Sequence, residues 1–144
     1  MRVRLLLLAL ALPLVLVAVP GCGGDPSPES VVRAWSEALN TGDNEAAADL
    51  FAPGAEVIQG DRRARLMTHD DAVLFNSSLP CSGRIVRIEE GENGVTATFV
   101  LGDRPESACD APGAEARAFF RVEDGKITVW HQLPGSSADE PPSI

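Results

Sequence analysis

The sequence predicts an α+β domain, and three patterns carry that prediction. Val31, Val32, Trp35, Ala38 and Leu39 recur at helical spacing near the start. From Gly83 onward the apolar period falls to two, as along half-buried strands. Gly91-Glu92-Asn93-Gly94 and Asp124-Gly125 punctuate those strands as tight turns, so neighbours run antiparallel. Helices early and an antiparallel sheet late describe a curved sheet packed on one face by three N-terminal helices. Such a sheet leaves a cavity at its open end.

The elements follow in order. Ser27-Pro28-Glu29 starts the first helix: a capping hydroxyl, a proline in the first turn, then an acid. Asn40-Thr41-Gly42 ends it, with Gly42 suited to a left-handed cap. Asp43 caps a second helix that reaches Leu50 and Phe51 and stops at Pro53-Gly54. Residues 55–59 read as a strand, and the polar residues 60–65 as a turn or edge. Thr68 and Asp71 have capping-box spacing for a third helix, which runs to about Ser78 and is broken by Pro80.

Four strands follow, at residues 84–90, 95–101, 115–122 and 126–133. Val95, Ala97, Phe99 and Leu101 share one face of the second. The loop 102–113 is long and contains Cys109. Residues 134–144 are rich in Pro, Ser and acids and are expected to be a disordered tail.

The first residues set the compartment. Arg2 and Arg4 precede an apolar run at 5–19, shorter than the roughly 20 residues a membrane-crossing helix needs. Val19-Pro20-Gly21-Cys22 resembles a bacterial lipobox. The resemblance implies a signal peptide at residues 1–21, a diacylglycerol on Cys22, a tether at 22–27 and a domain at 28–133. The protein would then sit in the cell envelope, lipid-anchored and outside the cytoplasm. Beyond residue 21 the chain holds ten Lys and Arg against twenty-one acids, a net charge of −11. Phosphate backbones would repel it, which excludes nucleic-acid partners. Anionic headgroups would repel it too, so the lipid must hold it at a membrane.

With Cys22 assigned to lipid, Cys81 and Cys109 remain, and two thiols in an exported domain imply one disulfide. Closing that loop of about 29 residues is worth roughly 3–4 kcal/mol by chain entropy. A metal pair is the alternative, but two cysteines and two distant histidines show no zinc spacing.

Residues 31–43, V-V-R-A-W-S-E-A-L-N-T-G-D, and 50–57, L-F-A-P-G-A-E-V, resemble the opening of the NTF2-like superfamily. That group includes ketosteroid isomerases, SnoaL-like polyketide cyclases and limonene epoxide hydrolases. Residues 119–131, F-F-R-V-E-D-G-K-I-T-V-W-H, are similar to its last hairpin. The resemblance implies a cone-shaped barrel with a pocket, a fold used for several unrelated tasks. Isomerase-like members place a Tyr on the first helix where this chain has Trp35, and an Asp base on the first strand where it has Gln59. An amide is no base for a substrate proton, and an indole is a poorer acid than a phenol. The chain has no Tyr at all. The Asp-Arg-Asp set of the hydrolases finds only Asp103-Arg104 and Asp110, all in the long loop.

Strand parity puts His131 with Ile127, Val129 and Leu133 on the apolar, pocket-facing side. There it would be either a general acid or base or a hydrogen-bonded core histidine. The residues supply no convincing carboxylate partner for it; Asp49 and Glu56 carry no geometric argument. The expected pocket is Trp35, Gln59, Phe99, Phe119 and His131, with Trp35 as a wall. The same parity puts Trp130 outside with Thr128 and Gln132, either in a homodimer contact or packed under Arg121. His69-Asp70-Asp71 opens a helix and is read as dipole-favourable charge, not a metal site. Asn76-Ser77-Ser78 matches a glycosylation sequon, discounted in a bacterial lipoprotein. No phosphate loop, dinucleotide fingerprint, nucleophile elbow or zinc-protease motif appears, and no cofactor is expected.

Three functions compete. The first is a non-catalytic tethered module that binds a small apolar molecule or an envelope protein. The second is an isomerase, cyclase or hydrolase that works through His131. The third is a partner domain whose pocket its own side chains fill. An enzyme needs a second polar group converging on His131; a binder needs only apolar walls.

Overall fold

The structure, a computed structural model, describes residues 23–135. The expected signal peptide, Cys22 and most of the expected tail lie outside those residues. Three helices, α1 (Pro28–Asn40), α2 (Asn44–Ala48) and α3 (His69–Ser78), accompany six strands. These are β1 (Phe51–Gln59), β2 (Arg62–Leu66), β3 (Ser82–Gly91), β4 (Gly94–Gly102), β5 (Glu115–Glu123) and β6 (Lys126–Leu133). They form one sheet in the order β2-β1-β6-β5-β4-β3. Every pair is antiparallel except β1 with β6, which are parallel.

Local chemistry sets the helix ends. Ser27 Oγ accepts from Ser30 N at 3.2 Å, and Pro28 occupies the first turn, where its missing N–H costs nothing. Thr68 and Asp71 cap each other reciprocally at the start of α3. The α1 stripe Val31, Val32, Trp35, Ala38 and Leu39 is buried against the sheet. Each large side chain there contributes about 2 kcal/mol of hydrophobic stabilisation. Trp35 lies at the centre of an aromatic cluster, its ring centroid 5.2 Å from that of Phe120 and 6.2 Å from that of Phe99. The polar flank of α1 grips the start of β3: Asn40 accepts from the Gly83 N–H at 2.8 Å and, with Ser36, donates to the Gly83 carbonyl.

Two expectations about strands are corrected. The second helix ends at Ala48, and β1 begins at Phe51, running through Pro53-Gly54. Gly54 takes φ +80°, and the β1–β6 register shifts between Phe51 and Glu56, so the apparent helix stop is a bulge inside a strand. The second correction concerns β6. Val122 pairs with Ile127, but the next residue on β5, Arg121, pairs with Val129. One extra residue, Thr128, is therefore inserted in β6, and every side chain after it changes face. Ile127 and Trp130 both point inward and are buried, 0% and 5% exposed. His131 points outward.

The disulfide between Cys81 and Cys109 forms, with Cα atoms 4.5 Å apart. It ties the loop 103–113 to the start of β3. Arg104 fixes the same loop from inside. Its side chain is fully buried and donates to the carbonyls of Asn76 and Leu79 at the end of α3 and to Asn44 Oδ1 at the start of α2. Glu106 supplies the counter-charge at 2.7 Å.

Candidate functional site

The C-terminal half of α1, the inner face of the sheet and the disulfide-bound loop enclose a cavity of about 250 Å³. That is just below the roughly 300–1,000 Å³ typical of drug-sized ligand sites, so it suits a compact ligand. Its walls are apolar: Trp35 and Leu39 from α1, Phe99 and Leu101 from β4, and Trp130 from β6. The segment 79–83 forms another side and brings Cys81 to the lining. Gly83 is required there, because a Cβ would come within 2.9 Å of the Phe99 ring.

Polar groups gather at two places. Gln59 and Gln132, register partners at the ends of β1 and β6, both border the cavity and are exposed. The charged residues on the lining are Asp110, exposed, and Arg117, half-buried and next to Ala118, the register partner of Gln132 on β5. The Asp110 Oδ1 oxygen sits 3.2 Å from Cys81 Sγ. The bonded sulfur carries no hydrogen, so this is a close contact and not a hydrogen bond. Nor does the disulfide offer thiolates, which removes the sulfur ligands a metal would need beside Asp110.

Of the five expected pocket residues, the structure brings Trp35, Gln59 and Phe99 together on the lining. It does not place His131 or Phe119 there. Those two are cross-strand partners on the outer face, and His131 also pairs with Ile58 of β1. The physical reason is the Thr128 insertion, which reverses the parity read from the sequence. The same reversal moves Trp130 from the outer face to the cavity wall, which corrects the expectation that Trp130 is exposed there. Trp130 and Gln132 are the lining residues that strand parity missed.

The second histidine belongs to a separate cluster. His69 Nε2 lies 2.9 Å from Asp49 Oδ1, and Nδ1 lies 3.7 Å from Glu45 Oε2. Nε2 is within hydrogen-bond distance of Asp49, so the ring bridges α2 and α3 at the surface, away from the cavity. The sequon Asn76 is fully buried, accepting from Trp35 Nε1 and donating to the Ala72 carbonyl. At the start of α3, hydrogen bonds from the Thr68 backbone and side chain, and from the Met67 N–H, hold the Asp71 carboxyl below its usual range.

A curved sheet covered by helices on one face, with an apolar cavity between them, defines the NTF2-like cone fold. The chain belongs to the SnoaL-like domain family, whose pattern matches residues 32–130. Solved structures agree on the fold. An NTF2-like protein of unknown function from Cytophaga hutchinsonii is 14% identical, with a TM-score of 0.62 over 76% of this chain and 91% of its own. A protein with a ketosteroid isomerase-like fold from Catenulispora acidiphila, in complex with trimethylamine, is 17% identical, with a TM-score of 0.60 over 75% and 87%. A candidate polyketide cyclase from Pseudomonas putida is 18% identical, with a TM-score of 0.57 over 78% and 94%. No curated protein matches the chain.

Proposed function

We propose that this domain is a membrane-tethered, extracytoplasmic module that binds a small apolar molecule in the cavity and does not transform it. One observation carries the reading. The cavity walls are aromatic and aliphatic, and the ionisable lining groups are Asp110 and Arg117, with no general acid–base pair converging in the interior. Catalysis through His131 loses its basis because that ring lies on the opposite face of the sheet. The lipobox at residues 19–22 supports the tether, and the Cys81–Cys109 bond suits an oxidising compartment. Among the described residues no helix is long and apolar enough to cross a membrane.

The test is a thermal-shift panel of steroids, fatty acids, terpenoids and polyketides on the oxidised protein, with product analysis for every hit. A rise in melting temperature without product supports the module; product formation makes it an enzyme; no response from any class removes the ligand reading. Fatty-acid labelling of the wild-type chain in a bacterial host, lost in Cys22→Ser, tests the tether separately.

A further inference from the structure

One stretch of the cavity rim is held down by one covalent bond. The loop that carries Cys109 is anchored by hydrogen bonds at both ends. On its first limb Arg104 reaches the Asn76 and Leu79 carbonyls and Asn44, Arg104 and Ser107 exchange backbone hydrogen bonds, and Ser107 Oγ donates to the Pro80 carbonyl. On its last limb the Gly113 N–H donates to the Leu101 carbonyl, and the Leu101 N–H donates to the Ala114 carbonyl. Between these limbs lies the strap 108–112. Among the described residues it makes no hydrogen bond outside 103–114: the Cys109 N–H goes to Asp103, and the Ala111 carbonyl accepts from Ala114. Ala108, Asp110, Ala111 and Pro112 are exposed, while Cys109 is 9% exposed. Its one buried side chain therefore pins the strap, through the disulfide to Cys81 on the facing segment 79–83. Asp110 and Cys81 both border the cavity, so the bond closes the rim between them.

The strap also has a hinge. Gly113 takes φ +84°, and a Cβ there would meet nothing within 4 Å, so the backbone has both the conformational freedom and the space to swing. We infer that the Cys81–Cys109 bond is a redox-operated latch: oxidised, it holds the strap 108–112 across the cavity rim; reduced, it frees the strap and opens the cavity while the domain stays folded. A dithiol reductant supplies the step. Its thiolate attacks Cys81 Sγ, Cys81 being the more exposed residue of the pair, and Cys109 leaves as the thiolate of a mixed disulfide. The second thiol of the reductant then closes the reductant's own disulfide and releases Cys81. Two electrons pass to the cystine, and the two protons lost by the dithiol end on Cys81 and Cys109. None of the anchors on either limb uses sulfur, so Arg104, Ser107 and the Leu101 pairings keep their partners after reduction. Only the strap between them gains freedom, as in a local opening with little buried surface to lose. The latch governs access to the cavity and does not depend on what the cavity binds.

Trp35 and Trp130 are the only tryptophans in the chain, there is no tyrosine, and both tryptophans line the cavity. They are 4% and 5% exposed, so quenching of their emission by acrylamide, a small neutral molecule, reports access to the cavity. The experiment compares the oxidised protein, the protein treated with dithiothreitol and the variant Cys81→Ser/Cys109→Ser. Each is followed by acrylamide quenching, circular dichroism and amide hydrogen exchange at short labelling times. On reduction the quenching constant should rise several-fold. Faster exchange should be confined to residues 108–113, with α1 and the sheet still protected and the circular dichroism unchanged. Reoxidation should restore the first state, and the double serine variant should match the reduced one. Exchange that also appears in α1 and the sheet makes the bond a staple of the whole domain and overturns the latch. Unchanged quenching overturns it too, since the cavity has not opened. So does a bond that dithiothreitol reduces only in denaturant. Each of these outcomes leaves the ligand-binding reading untouched, because no ligand enters the experiment.

Discussion

Trp35 Nε1 donates to Asn76 Oδ1 at 2.9 Å, a buried hydrogen bond between helices 41 residues apart in sequence. It orients a cavity wall from α1 by means of a polar residue on α3. Asn76→Leu should therefore cost about 1–3 kcal/mol, because it strands a buried indole N–H. Urea denaturation followed by circular dichroism measures it, and an unchanged midpoint would show that the bond contributes nothing.

Arg104 should be more sensitive. Its guanidinium reaches two carbonyls of the α3 end, Asn44 and Glu106 at once. Arg104→Met is expected to lose about 3 kcal/mol. Arg104→Lys should not restore it, since a single ammonium cannot span that fork. Recovery to wild-type stability with Lys would contradict the geometry.

Reduction of Cys81–Cys109, or the double Ser variant, should lower stability by roughly 3–4 kcal/mol. It should also weaken ligand binding, because Cys81 is part of the cavity lining. Parallel unfolding and emission titrations with and without reductant separate the two effects.

His131→Ala should leave cavity binding unchanged and cost under about 1 kcal/mol, as expected for a half-buried side chain on an outer face. Trp130→Ala, by contrast, should cost about 3–5 kcal/mol and abolish binding. The reverse pattern in the same two assays would restore the parity read from the sequence.

Asp71 sets an acid dependence. Its folded pKa is lowered from 3.8 by the Thr68 hydrogen bonds and the Met67 N–H. Folding thus favours the ionised form: the contribution is full above the unfolded value and is lost as pH falls through the folded one. The stability gap between wild type and Asp71→Asn should hold steady from neutral pH to just above 4 and narrow below it. A gap that widens on acidification would reverse the sign.

Much of the fold was legible without coordinates because its signals are local. The Ser27 and Thr68 caps, the α1 stripe, the β3–β4 and β5–β6 turns and the bounds of β6 each depend on residues within a few positions of one another. The bulged start of β1 was not, because Pro53-Gly54 is the same dipeptide whether it stops a helix or kinks a strand, and only pairing with β6 distinguishes them.

The sequence by itself determined the element types apart from the start of β1, the one cysteine pair that closes the loop 103–113, and the absence of the isomerase Tyr and Asp at Trp35 and Gln59. Only the tertiary structure decided what faces the cavity. The residue inserted at Thr128 belongs to the register between β5 and β6, not to any local pattern in β6. Since side chains alternate every residue along a strand, that single insertion exchanged His131 for Trp130 and turned a possible acid–base site into an aromatic wall.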